Sequence, residues 1–184
     1  MWPFLKYLFQ LILSPSRGWE DLSHDGPDPE ALLQKGYYPL TGLAAATQFL
    51  KLIYNYDATI SSVLRMAIII FCTFFVAAFI GKALLEFFIP RLIDGEMSVK
   101  RTATLNVMPL GALVLIVIIA SCVPGNLIIS FFAVLPVYSV LIFYKAAKYM
   151  AIKPECESKF LCLGLSTILL VPFFLYWILK LILG

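Results

Sequence analysis

Between Arg101 and Lys145 the chain runs for 43 consecutive residues without a charged side chain. About 20 apolar helical residues span the hydrocarbon core of a bilayer, so this stretch predicts two crossings. Val123-Pro124-Gly125-Asn126 supplies the reversal between them, since proline and glycine together favour a turn. Composition points the same way, with 61% hydrophobic and 14% charged residues. A soluble domain is typically about 45–50% apolar and 25% charged, and a soluble fold of this length has nowhere to put the surplus. Strands of a membrane β-barrel read as roughly 10-residue segments of alternating polarity. None occur here, so the expected spans are helices, which satisfy their own backbone groups in lipid.

The expectation is an all-α integral membrane protein: a bundle of five transmembrane helices preceded by a short interfacial N-terminal helix. Residues 1–36 form a cytoplasmic segment and residues 37–184 the membrane domain, with spans at about 37–54, 59–82, 104–122, 127–144 and 160–183. Met1 to Leu13 is apolar apart from Lys6 and Gln10. It is too short to cross and lacks a small-residue cleavage site, so a signal peptide is not expected. Such a helix lies in the membrane interface, with Trp2, Phe4, Tyr7 and Phe9 in the headgroups, or packs on the protein's own spans. Ser14-Pro15 and Asp28-Pro29 each read as a cap followed by a first-turn proline. Span two is free of charge from Met66 to Gly81 and continues through Lys82 and Glu86 to a bend or stop at Pro90. Asp94-Gly95 makes a turn before span three. Pro136 and Pro172 interrupt spans four and five, which a bundle tolerates because neighbouring helices re-satisfy the freed carbonyls.

Charge placement sets the expected orientation. With five spans, eleven of the 14 Lys and Arg residues fall on the side holding the N-terminus, and only Lys51, Arg65 and Lys180 fall on the other. Cytoplasmic loops carry the positive excess, so the N-terminus is expected inside a cell (inner) membrane and the C-terminus outside.

Catalytic chemistry finds few residues to use. His24 is the single histidine, and no HExxH, phosphate loop or GxSxG elbow occurs. Four cysteines, Cys72, Cys122, Cys156 and Cys162, lack metal-ligand spacing and read as apolar fillers or loop residues. No catalytic, metal or cofactor residue is therefore assigned. The acidic run from Glu20 to Glu30 reads as a solvated linker with helix caps, its spacing unlike a calcium loop. Ionisable and polar groups near the spans are the better lead, because charge in lipid is costly. Lys51 and Arg65 flank the outer loop with Asp57 between them, and Lys82 and Glu86 stand one turn apart as an ion pair. Gln48, Asn106 and Tyr138 lie deeper, with Thr47, Ser130 and Ser139. Each reads as an interhelical hydrogen bond worth about 0.6–2 kcal/mol, or together they line a pathway.

Ser14-Pro15-Ser16-Arg17-Gly18-Trp19-Glu20 resembles the Pro-x-x-x-Trp opening of bacterial members of the Yip (Ypt-interacting protein) domain family. Asn106-Val107-Met108-Pro109 looks like the proline-bearing start of that family's third span, and Tyr138-Ser139-Val140-Leu141 through Lys145 resembles its fourth. Five helices with the N-terminus inside is what the resemblance implies. The family's Asp-Leu-Tyr-Gly-Pro motif, tied to GTPase partners in eukaryotic relatives, is absent: Asp21-Leu22 is followed by Ser23-His24.

The expected function is a non-enzymatic membrane scaffold that recruits protein partners at its cytoplasmic face. The alternative is a small-molecule or ion transporter or channel, as one chain or a homo-oligomer. A weaker third reading is a lipid-modifying enzyme using Glu86 or Asp94. The lipid bilayer is the expected surrounding, and no nucleic-acid partner is expected.

Overall fold

The computed structural model describes residues 1–93, 99–122 and 129–184, and every regular element among them is helical. The Asp94-Gly95 turn, the 123–126 reversal, Leu127 and the Ser130 side chain lie outside the described residues.

Helices α1 (Trp2–Leu13) and α2 (Pro15–Asp25) both carry a proline in their first turn, where its missing N–H has no partner to lose. Ser14 joins them through its backbone: its N–H donates to Gln10 O at 2.8 Å and its carbonyl accepts from Gly18 N at 2.9 Å. The side-chain caps expected at Ser14 and Asp28 are not made. The Asp28 carboxylate faces Lys100 Nζ instead, 3.5 Å away.

Phe4, Leu8 and Leu11 fall on one face of α1 at helical spacing and are almost fully buried against the bundle, while Trp2, Phe9 and Leu13 are exposed on the others. The Phe4 ring lies against Gly36 and Gly111, the only residue type that leaves it room: a methyl on Gly111 would sit 2.8 Å from Phe4 Cζ. Residues of 1–36 thus belong to the same hydrophobic core as those of 37–184.

From 29 to 54 the chain is helical throughout but changes pitch four times. It passes from α3 (Pro29–Leu32) through a π turn (Leu33–Tyr37) into α4 (Tyr38–Ala46), then a 3-10 turn (Thr47–Leu50) and α5 (Lys51–Tyr54). Helix α6 (Ile60–Phe88) opens on a capping box in which Thr59 and Ser62 satisfy each other's backbone N–H. At 29 residues it is about 43 Å long, and Pro90 lies in the 3-10 turn that follows it. Helix α7 (Val99–Cys122) is the axis of the molecule, buried without interruption from Thr102 to Val114. Helix α8 (Ile129–Lys145) packs beside it. The last stretch comprises α9 (Glu157–Gly164), a π turn (Leu165–Leu170) and α10 (Val171–Leu183), which lies along α6.

Among the described residues, three helical stretches are long and apolar enough to cross a membrane: Ile60–Arg91, Lys100–Cys122 and Pro154–Leu183. They correspond to the second, third and fifth expected spans. The first expected span is helical, but Thr41, Thr47, Gln48 and Lys51 dilute its apolar character. In the fourth, the described side chains of α8 begin at Leu135, and Leu135–Lys145 is an apolar helix.

The length of α6 separates two ends of the molecule. At one, Trp19 Nε1 of α2 donates to Ile142 O at 2.8 Å, and Lys153 N donates to Leu92 O at 3.0 Å. At the other, Arg65 Nη1 donates to Leu183 O and Gly184 O at 3.3 and 3.1 Å, a cation on the negative end of α10.

Candidate functional site

Among the polar side chains of the first expected span, Gln48 makes an interhelical hydrogen bond of the expected kind, and Thr47 Oγ1 donates to Ala44 O of its own helical stretch at 2.8 Å. Gln48, in the 3-10 turn, reaches α7: its Nε2 donates to Ser121 Oγ at 2.6 Å and to Ala44 O at 3.3 Å. Ser121 Oγ in turn donates to Val117 O at 2.8 Å, and Tyr54 OH to Ser121 O at 2.5 Å. This ladder ties the stretch 47–54 to the end of α7 and forms one wall of a chamber of about 730 Å³.

Three further helices complete the chamber. Ile70, Thr73 and Phe74 come from α6, Pro136 from α8, and Leu170, Phe173 and Tyr176 from the last helical stretch. The size falls within the range of about 300–1,000 Å³ usual for ligand sites, and the mostly apolar lining with a few polar atoms is also usual. Leu170, Phe173 and Ala120 at its edge are exposed, so the opening is rimmed by apolar groups.

Two buried polar atoms in that wall have no hydrogen-bond partner, Gln48 Oε1 and Thr73 Oγ1. Leaving such an atom unpaired typically costs about 1–3 kcal/mol. Lys51, half-buried, stands at the same chamber, and no carboxylate lies within ion-pair distance of it among the described residues.

Of the residues singled out in the sequence, the structure brings together Gln48 and Lys51. Lys82 and Asn106 border a separate cavity of about 280 Å³ beside Glu30. Asn106 Nδ2 donates to Ala78 O at 2.6 Å, and its amide is seated against Gly81. Lys82 and Glu86 form the expected i,i+4 ion pair at 3.7 Å, partly exposed. Tyr138 OH donates to Ile12 O at 2.6 Å, fixing α1 to α8. Arg65 is occupied at the end of α10. Thr73 and Ser121 were missed, because a single hydroxyl inside an apolar run carries no sign of what it faces.

A second recess, of about 620 Å³ and mixed polarity, opens where α2 meets the loop after α8. Trp19 stacks on Tyr149 at 5.3 Å between ring centroids, and the Arg101 guanidinium sits 5.5 Å from the same tyrosine ring. Burial pushes the Tyr149 hydroxyl pKa up, and the Arg101 charge pulls it partly back. Glu20, Lys145, Lys148 and Glu157 surround the recess. The loop closes through Ala151, which holds a left-handed φ of 53°. Among the described residues no group of three His, Cys, Asp or Glu side chains stands close enough to hold a metal ion.

Comparison of the chain with protein-family models, with curated proteins and with solved structures finds no match.

Proposed function

We propose that this chain is an integral membrane protein crossing the cell (inner) membrane five times, N-terminus inside and C-terminus outside, and acting as a non-enzymatic scaffold for cytoplasmic partners. Support for the membrane comes from the uncovered apolar faces of α6 and α10. Leu64, Phe71, Phe79, Phe174, Trp177 and Leu181 all stand exposed there, a surface that lipid covers and water does not. Support for the layout comes from the two ends of α6. At one end Lys100 pairs with Asp28, Arg101 sits over the Tyr149 ring that stacks on Trp19 of α2, and Lys153 N donates to Leu92 O. At the other, Arg65 meets the end of α10. The likeness to the Yip domain family rests on the short motifs alone and is part of this proposal.

The observation that carries the scaffold reading is the recess built by Trp19, Tyr149 and Arg101. Trp19 is its buried floor, and the half-buried Tyr149 ring with the exposed Arg101 forms a charged, partly aromatic surface at the basic end. Aromatic and arginine side chains are those enriched at protein interfaces. Photo-crosslinking from Ser23 or Lys148 in native membranes tests it. Discrete protein adducts that vanish in Arg101→Glu are expected; adducts to lipid alone would contradict it.

The chamber favours a second reading, in which the bundle binds or moves a small molecule or ion. Flux into liposomes that is lost when the chamber is filled would place this reading first.

A further inference from the structure

We infer that the chamber is a binding site for one anionic phospholipid, its acyl chain inside and its headgroup at Lys51. The inference rests on the membrane placement proposed above and requires neither partner recruitment nor transport.

The shape of the opening argues for a lipid. Its rim is formed by the exposed apolar side chains Leu170 and Phe173 together with Ala120, and in a bilayer such a rim faces hydrocarbon. A water-soluble ligand would have to cross that hydrocarbon to enter, whereas a lipid chain is already there. Ile70, Phe74 and Val117 offer an acyl chain an apolar wall.

The polar groups argue for the headgroup. Lys51 lies in the last turn of the first expected span, 37–54, where a side chain that reaches for the interface meets headgroups. It brings a cation without a partner carboxylate among the described residues. An anionic headgroup completes it, a basic side chain near anionic lipid being attractive. One turn away on the same stretch, Gln48 Oε1 is unpaired, and so is Thr73 Oγ1 farther along the chamber, mid-way down α6. The ester carbonyls of a diacyl phospholipid only accept hydrogen bonds; a hydroxyl of the phosphatidylglycerol headgroup supplies the donor that Gln48 Oε1 lacks.

Native mass spectrometry of the purified full chain tests this, with phosphatidylglycerol and phosphatidylcholine supplied at equal concentration and inorganic phosphate as a headgroup-only probe. Wild type is expected to retain a single phosphatidylglycerol in preference to phosphatidylcholine. Lys51→Gln should reduce that preference about fivefold, the scale of one basic side chain near an anionic surface. Val117→Trp, which sets an indole across the path of the acyl chain, should lower retention of both lipids, and Lys180→Gln, outside the chamber, should change nothing. Thermal melts of each variant show whether it is folded. Equal retention in wild type, Lys51→Gln and folded Val117→Trp would mean annular lipid only and overturn the inference. Phosphate competing as well as the lipid would also overturn it, by assigning the site to a free anion. Alkaline extraction of native membranes checks the placement separately: release of the chain would remove the membrane reading itself.

Discussion

Single small residues decide how closely the helices approach. Gly36 and Gly111 leave the space that Phe4 fills, and Gly164 does the same for Phe143, whose ring then stacks on Phe160 at 4.6 Å. In a membrane, association rests on such close packing because lipid tails are as apolar as leucine. Gly111→Ala should therefore destabilise by about 1–3 kcal/mol, the usual cost of overpacking, read as a lower melting temperature in detergent. Phe4→Leu should recover part of that loss in the double variant, since it withdraws the atom that the new methyl strikes. An additive outcome would show that the two residues do not meet. None of this was legible in the sequence, where a glycine at 111 and a phenylalanine at 4 carry no mark of each other.

At the scale of elements, the uncharged runs were legible and the irregularities within them were not. Met66 to Gly81 and the residues after Arg101 announce long apolar helices, and α6 and α7 follow them. Each π turn stands just before a proline, Leu33–Tyr37 before Pro39 and Leu165–Leu170 before Pro172. A proline ring strikes the carbonyl four residues back, and in both cases that residue (Lys35 or Ile168) falls in the widened turn. The sequence shows the prolines, but whether a helix kinks, ends or widens depends on what packs beside it. The candidate site was half legible for the same reason: Gln48 and Lys51 share one stretch, whereas Thr73 and Ser121 reach the chamber from other helices. Helix α10 carries the prediction that belongs here. Phe174 is 55% exposed on its outer face, and lysine in the middle of a span costs about 2.5–3.5 kcal/mol on insertion. Phe174→Lys should lower the fraction of chain that resists alkaline extraction from membranes. A soluble helical bundle would instead gain solubility from the same change.

Taken whole, the molecule joins a buried axial helix, α7, to an N-terminal hairpin folded onto one end and a chamber toward the other. The hairpin is anchored by Trp19 on Ile142 O and Tyr138 on Ile12 O, so the N-terminal segment acts as part of the bundle and not as a free arm. This explains why point changes in the recess, and not removal of residues 1–36, test partner recruitment. The central claim is the odd number of crossings, with the basic end in the cytoplasm. Single cysteines at Ser16, Tyr56 and Gly184 in a chain lacking its own four cysteines, probed with a membrane-impermeant thiol reagent on intact cells, test it most directly. Labelling at positions 56 and 184, with position 16 protected until the membrane is opened, is the predicted result; labelling of 16 and 184 from the same side would contradict the account.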